Sequence, residues 1–283
     1  MGLINYNIEK YSPQQLVVIP LVLFVISLVV IVSTFAATGM PVTPGIDFSG
    51  GTAVTIITSE SSEQLQIIFA GYPLSEISDM NNGKFLKFGT MDDAQYQSLS
   101  DLVNQKYPDA KIDQIGESFG KSLQSQAVLA IIFSFVGMAI VVFLTFRTFV
   151  PSVAVVFSAL ADMVMAAAGM NIVGIPLSLG TTAALLMLIG YSVDSDILLT
   201  NRVLKRQGKL NDKLMGAFHT GMIMTSTTFA AVAALFVVSW FGSIQIIMEI
   251  SAVLLIGLVA DIINTWLTNV GIIKWYVLKG GGK

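Results

Sequence analysis

Four aspartates stand inside long apolar stretches of this chain: Asp162, Asp194, Asp196 and Asp261. An ionised carboxylate at membrane depth costs roughly 2.5–3.5 kcal/mol even on the lenient insertion scale. Each must therefore face protein, water or a partner, or else hold a proton. Proton uptake and release is the chemistry open to such groups. Asp194 and Asp196 fall in one stretch, and at about 100° per residue a helix points positions two apart to nearly opposite faces. Asp194 then lines up with Gly190 and Leu198, a small and tight stripe, and Asp196 with Ser192 and Thr200, a polar one.

Counted from the ends of their stretches, Asp162 and Asp261 lie near the middle and Asp194 slightly past it. Thr225, Ser226, Thr227 and Thr228 occupy one half of another stretch in the same depth band. A polar cluster inside a helix bundle is geometrically open to these groups; the plainer reading is that each bonds a neighbouring helix. Arg202 lies about 12 Å along the helix from Asp194. It is placed to anchor the helix end at the headgroups, with a side chain long enough to reach inward. His219 reads as an interfacial loop residue and Glu249 as a solvated one.

Other chemistries are closed off. The chain has no cysteine and one histidine, which removes disulfides and thiolate metal sites and leaves little scope for a metal centre or a Ser-His-Asp arrangement. No enzyme activity, catalytic residue, metal or cofactor is expected. The net charge of −3, with basic residues scattered over short segments, gives no nucleic-acid surface.

The elements that must hold the aspartates are membrane helices. Of 283 residues 54% are hydrophobic and only 12% charged, the composition of an integral membrane protein. Six stretches are long enough to span: 16–37, 127–146, 151–173, 177–201, 221–241 and 246–270. The first is longer than a signal-peptide core and reads as an uncleaved helix. Lys10, Arg147, Arg202, Lys205, Arg206, Lys209, Lys213, Lys274, Lys279 and Lys283 fall on one side, and the short loops opposite carry no basic residue. The positive-inside rule then puts both termini in the cytoplasm and 39–126 outside. The expected division is 1–38 for the N-terminus and first span, 39–126 for an extracytoplasmic domain, and 127–283 for the other five spans.

Within 39–126 a β-branched run at 52–58 suits a strand, and 61–70 a helix with Ser61 as cap and Gln64 in the capping-box place. Strands at 74–80 and 84–89 are joined by the Asn81-Asn82-Gly83 turn signal. A helix at 92–107 capped by Thr90 and a strand at 111–117 complete the order βαββαβ, the α+β ferredoxin-like pattern. In that pattern the first and last strands are antiparallel neighbours. The fold class is thus an α-helical polytopic membrane protein of six transmembrane helices with one ferredoxin-like domain.

Between the first span and the first strand stands Gly45-Ile46-Asp47-Phe48-Ser49-Gly50-Gly51, whose glycines permit positive φ and whose Asp47 can bond nearby amides. By physics alone it is a structural turn. The run 116–122 imitates a phosphate-binding loop but is one residue short of it.

Asp47 to Gly51, Gly190 and Tyr191 with Asp194, Asn201 with Arg202, and Thr225 to Thr228 together resemble SecF of the archaeal kind, in the SecD/SecF family of the RND superfamily. The resemblance covers essentially the whole chain. It implies a ferredoxin-like exported domain, a SecD-like partner subunit, work beside a SecYE-type translocon on an unfolded exported polypeptide, and use of the proton-motive force in the cell membrane. The fourth-helix aspartate falls on Asp194 in the SecD-like register, with Asp196, Asp162 and Asp261 as further candidates. Ser195, Arg202, Thr225, Ser226 and Thr228 are supporting polar groups, and Gly45, Asp47, Gly50, Gly51, Gly190 and Tyr191 belong to the motifs. Bacterial members commonly read Asn-Asp after Gly-Tyr-Ser-X and His-Asp in the third helix. This chain has Asp194-Ser195-Asp196 and Ala161-Asp162 there.

The expected function is a non-enzymatic, proton-coupled export subunit embedded among membrane lipids. The alternatives are a passive scaffold of the translocon and half of an RND-type exporter of small molecules or lipids.

Overall fold

The computed structural model describes residues 10–280; residues 1–9 and 281–283, Lys283 among them, lie outside these. Helix α1 (Pro13–Thr38) starts on a capping box in which Ser12 and Gln15 satisfy each other's backbone N–H. Pro13 stands in the first turn, where its missing N–H costs nothing. The helix stops at Gly39, which takes the left-handed φ of 76°.

The chain then makes one helical turn, α2 (Ile46–Ser49), and enters a small domain: β1 (Gly51–Ile56), α3 (Ser62–Ile68), β2 (Leu74–Met80), β3 (Gly83–Phe88), α4 (Asp93–Lys106) and β4 (Lys111–Ile115). The sheet order is β2-β3-β1-β4 with every neighbour antiparallel, so β1 does pair with β4. Alternate residues Val54, Ile56, Leu86 and Phe88 turn inward onto Leu65, Phe69, Leu99 and Val103 of the two helices, forming one closed core. The Ser61–Gln64 capping box is present. The cap of α4 is Asp92, whose Oδ1 accepts the Gln95 N–H at 2.7 Å, and not Thr90; the carboxylate stands one residue before the helix, where its oxygen reaches the free N–H of the third helical residue.

From β4 the chain runs straight into α5 (Glu117–Phe146), so position 126, expected as a domain boundary, falls inside a continuous helix. Then follow α6 (Phe149–Val173), α7 (Leu179–Lys205), α8 (Leu210–Phe241), α9 (Gln245–Ile263), a π-helical segment (Asn264–Asn269) and α10 (Val270–Leu278). Among the described residues six helices are long and apolar enough to cross a membrane, the last formed by α9, the π segment and α10 together. Helix α8 begins well before 221, because Leu214 and Ala217 pack on Val203, Trp266 and Ile273; His219 lies within it, exposed, and not in a loop.

Helices α6, α7 and α9 form the interior, and α1, α5 and α8 surround it with most of their side chains exposed. Ala166, Met170, Leu185, Leu188, Val253 and Leu254 fill the half nearer the sheet, and Leu199, Val203, Trp266 and Val270 the half away from it. Between these two apolar layers lies a polar one. Gly221 is needed for this packing, since a Cβ there would run into the Trp266 ring.

Candidate functional site: a buried carboxylate layer

Helix α7 turns its Ser192–Asp196–Thr200 line into the bundle, each fully buried. Positions four apart stack on one face, so one polar stripe meets two neighbouring helices. From α6 come Ser158 and Asp162, again four apart and fully buried. The last span brings Asp261, Asn264, Thr265, Thr268 and Asn269, all at most 2% exposed. Four of these belong to the π segment, an irregularity often found at functional sites.

The side chains are tied together across helices. Asp162 accepts the Ser192 hydroxyl on Oδ2 and the Asn264 amide on Oδ1, the latter at 2.7 Å. Asp196 accepts on Oδ1 from Asn269 Nδ2 at 2.7 Å and lies 2.8 Å from Thr265 Oγ1. The same hydroxyl oxygen is 3.0 Å from Asp261 Oδ1. Thr265 thus stands between two carboxyl groups. Asp196 Oδ2, Ser158 Oγ, Thr200 Oγ1 and Asn269 Oδ1 are buried in the layer without a partner at hydrogen-bond geometry among the described residues. No arginine, lysine or histidine neutralises the three aspartates among the hydrogen bonds and ion pairs of the described residues.

Asp162, Asp196 and Asp261 therefore come together, and Asp194 does not. It lies on the outer face of α7, exposed, with Tyr191 38% exposed and open space beside Gly190. Ser195, between the two aspartates in sequence, is buried. Thr225 is buried and Ser226 exposed, while Thr227 and Thr228 donate to the Met224 carbonyl of their own helix. A hydroxyl satisfied by its own backbone needs no cluster. Arg202 does not reach Asp194: its guanidinium donates to the Gly216 carbonyl and, at 2.8 Å, to Thr220 Oγ1, clamping α7 to α8. Glu249 is half-buried with the Gln245 amide on its carboxylate at 2.8 Å, so it is not simply solvated.

The glycine motif joins the sheet domain to the bundle. Pro44 and Leu177 form a parallel bridge, with Gly45 N–H on the Leu177 carbonyl and Leu177 N–H on the Thr43 carbonyl, both at 2.8 Å. Asp47 Oδ2 accepts the Leu179 N–H at 2.7 Å, placing a carboxylate on the N-terminus of α7. Asn171 adds bonds to Thr43 N–H and the Pro41 carbonyl. Gly50 and Gly51 have φ of 73° and 126°, and a Cβ on Gly50 would meet the α5 backbone at Glu117.

Sequence reasoning missed Asn264, Thr265, Thr268 and Asn269. Their signal was present as polar residues at i, i+1, i+4 and i+5 in an apolar stretch, one helical face.

Comparison with known proteins places this geometry. A family model described as protein export membrane protein SecD/SecF, C-terminal, matches residues 95–279. The protein-export membrane protein SecF of Methanolacinia petrolearia is 54% identical over 282 residues, covering 99% of this chain and all of that one. Those of Haloferax volcanii and Pyrococcus furiosus are each 40% identical, over 96% and 97% of this chain and 95% and 94% of theirs. The crystal structure of SecDF, a translocon-associated membrane protein, from Thermus thermophilus superposes with a TM-score of 0.74 at 21% identity. It covers 94% of this chain, which spans 38% of that one.

Proposed function

The chain belongs to the SecD/SecF family of protein-export membrane proteins, and from that premise we propose that it is the SecF subunit of a SecDF-type complex that assists protein translocation using the proton-motive force. The observation that supports proton coupling is the Thr265 hydroxyl. It has one hydrogen, and two carboxyl oxygens lie within hydrogen-bond distance of it. It donates to one; the other must bring its own proton. Asp196 already accepts from Asn269, so the consistent assignment is an ionised Asp196 and a protonated Asp261 donating to Thr265. Asp196 Oδ2, without a donor, can take up a further proton without breaking an existing bond. We assign the coupling role to Asp196, Asp261 and Asp162 in place of Asp194.

Asp194 serves a different end in this reading. An ionised carboxylate facing lipid near mid-membrane is costly, so the Gly190–Tyr191–Asp194 face packs against the SecD-like subunit. The translocon is the further partner, and an unfolded exported polypeptide the substrate. Residues 39–126 lie outside the cell membrane and both termini inside, as the lysines and arginines indicate. The βαββαβ order with β1 between β3 and β4 supports a ferredoxin-like plan for the exported domain, and the protein carries no enzymatic chemistry of its own.

The test is the export rate of a pulse-labelled secreted protein in cells carrying Asp196→Asn or Asp194→Asn, with co-purification of the SecD-like subunit as the assembly control. Asp196→Asn drops export to the level of a deletion while the complex stays intact; Asp194→Asn weakens co-purification. Normal export by an assembled Asp196→Asn complex would leave the protein a passive scaffold.

A further inference from the structure

The last span leaves α-helical geometry in one place, the six-residue π-helical segment Asn264–Asn269. A turn closed by bonds five residues apart holds one residue more than an α-helical turn, and the π form is the rarer of the two. Something must hold it in place. Three of its side chains are bonded into the carboxylate layer: Asn264 to Asp162, and Thr265 and Asn269 both to Asp196 Oδ1. Thr265 stands near the start of the segment and Asn269 is its last residue, so one carboxylate oxygen of α7 pins both ends of the turn. The titratable groups facing the segment are Asp162 of α6, Asp196 of α7 and Asp261 of α9. The residues of α1 and α8 that adjoin it, Pro20, Phe24, Phe218 and Gly221, carry no charge, and the one charged residue of α10 is Lys274, bonded to the Tyr11 carbonyl at 2.8 Å.

We propose that this segment is a register switch: with Asp196 ionised it keeps the π turn, and when Asp196 takes up a proton it returns to α-helix and turns α10 about its own axis. The proposal rests on the proton-coupling reading above. A hydrogen bond to an ionised acceptor is about twice as strong as one to a neutral group, so the proton removes much of what Thr265 and Asn269 contribute and the commoner α form takes over. Giving up the extra residue advances everything beyond it by one residue's share, about 100° and 1.5 Å. Val270 then takes the angular place of Gly271, and Ile272 that of the buried Ile273. The exchange of isoleucines keeps the apolar layer filled. The exchange at 271 does not fit, because a Cβ there would lie 2.7 Å from Val17 Cγ2 and 3.0 Å from the Pro13 carbonyl oxygen. Helix α1 must move aside, and α1 leads through Gly39 to the sheet domain.

The chain has no cysteine, so nitroxide labels on introduced cysteines report only the chosen positions. The experiment uses the full chain in lipid, labelled at Leu278 and Lys209 in one sample and at Leu278 and Leu144 in another, all three exposed, with distances read by pulsed electron spin resonance. Turning α10 by about 100° carries a group about 5 Å from the helix axis through roughly 8 Å. Asp196→Asn, which imitates the protonated acid, therefore shifts at least one of the two distances by about 5 Å or more and leaves the Lys209 to Leu144 distance unchanged. Deleting Leu267 removes the extra residue itself, and in that background Asp196→Asn moves neither distance. Unchanged distances in Asp196→Asn, or a shift of the same size after the deletion, overturn the proposal. If Asp196→Asn fails to fold, Asn269→Ala cuts the same bond from the other side and is judged by the same distances. Loss of export by Asp196→Asn with α10 unmoved overturns the switch and leaves the proton coupling standing.

Discussion

Thr265→Val removes one oxygen and keeps the shape of the side chain, so it isolates the bridge between Asp196 and Asp261. With that hydroxyl at 2.8 and 3.0 Å from the two carboxyl oxygens, the oxygens are at most about 6 Å apart. Two unit charges at that separation repel by about 3 kcal/mol at an effective dielectric of about 20. The proton on Asp261 in the present arrangement avoids that cost. Without the hydroxyl, a hydrogen bond to a charged group is lost, worth about 1.5–3 kcal/mol, and the two carboxyls no longer communicate through a common atom. At about 2–4 °C per kcal/mol the purified valine variant unfolds about 3–12 °C below wild type and exports poorly, whereas Thr265→Ser, which keeps the donor, stays near wild type in both. A valine variant that unfolds at the wild-type temperature and exports normally would refute the one-proton reasoning, because it would show that the hydroxyl was never shared.

Two further outcomes follow from contacts outside the membrane layer. Asp47→Ala removes the carboxylate from the Leu179 N–H and from the start of α7, costing about 0.5–2 kcal/mol; its readout is faster protease cleavage between 39 and 51 and lower export with the complex still assembled, and unchanged cleavage would count against the Asp47 contact as a tie between domain and bundle. In the sheet domain, the Tyr107 hydroxyl and then Lys106, at 3.0 Å, hold the Glu60 carboxyl below its ordinary value of 4.5. A depressed carboxylate contributes stability above its unfolded pKa that is lost as pH falls through the folded one. The gap in unfolding temperature between wild type and Glu60→Gln therefore shrinks below about pH 4.5, and a gap constant down to pH 3 would contradict it.

The six spans were legible because apolar run length measures bilayer thickness directly, and the Ser61–Gln64 box because it is complete within four residues. The sheet order followed from the succession of elements. Which stripe of α7 turns inward was not legible: Ser192–Asp196–Thr200 and Gly190–Asp194–Leu198 are both coherent lines, and only α6, whose Asp162 accepts from Ser192, and the last span, which supplies Asn269 and Thr265 as donors, decide between them. The start of α8 was hidden for a similar reason. Lys213 and His219 make 210–220 look like a loop, yet Leu214 and Ala217 find Trp266 across the chain. Thr225–Thr228 misled in the opposite direction, as hydroxyls that their own helix satisfies. Asn264, Thr265, Thr268 and Asn269 stayed unread because they carry no charge and are interleaved with Trp266 and Leu267 in a long apolar run; the importance of Asn264, Thr265 and Asn269 lies in bonding the carboxylates, which is a property of the packed bundle.

The helix that gathers the carboxylates, α7, is also tied at both ends. Its first N–H groups are held by Ser178 and by Asp47 of the glycine motif, and near its last turn Arg202 is bonded into α8. Asp196 lies between, about 25 Å along the helix from Leu179. A hydrogen-bonded helix does not compress over that distance, so a shift forced on Asp196 by a change of charge moves the helix as a rod or breaks a bond at one of its ends. On the side of the sheet domain the bond at risk is Asp47 to Leu179, and Asp47 is four residues from β1. That is why a motif outside the membrane and a carboxylate layer inside it belong to one mechanical unit, and why glycines at 50 and 51, which leave no side chain between α2, α5 and β3, are required at the joint.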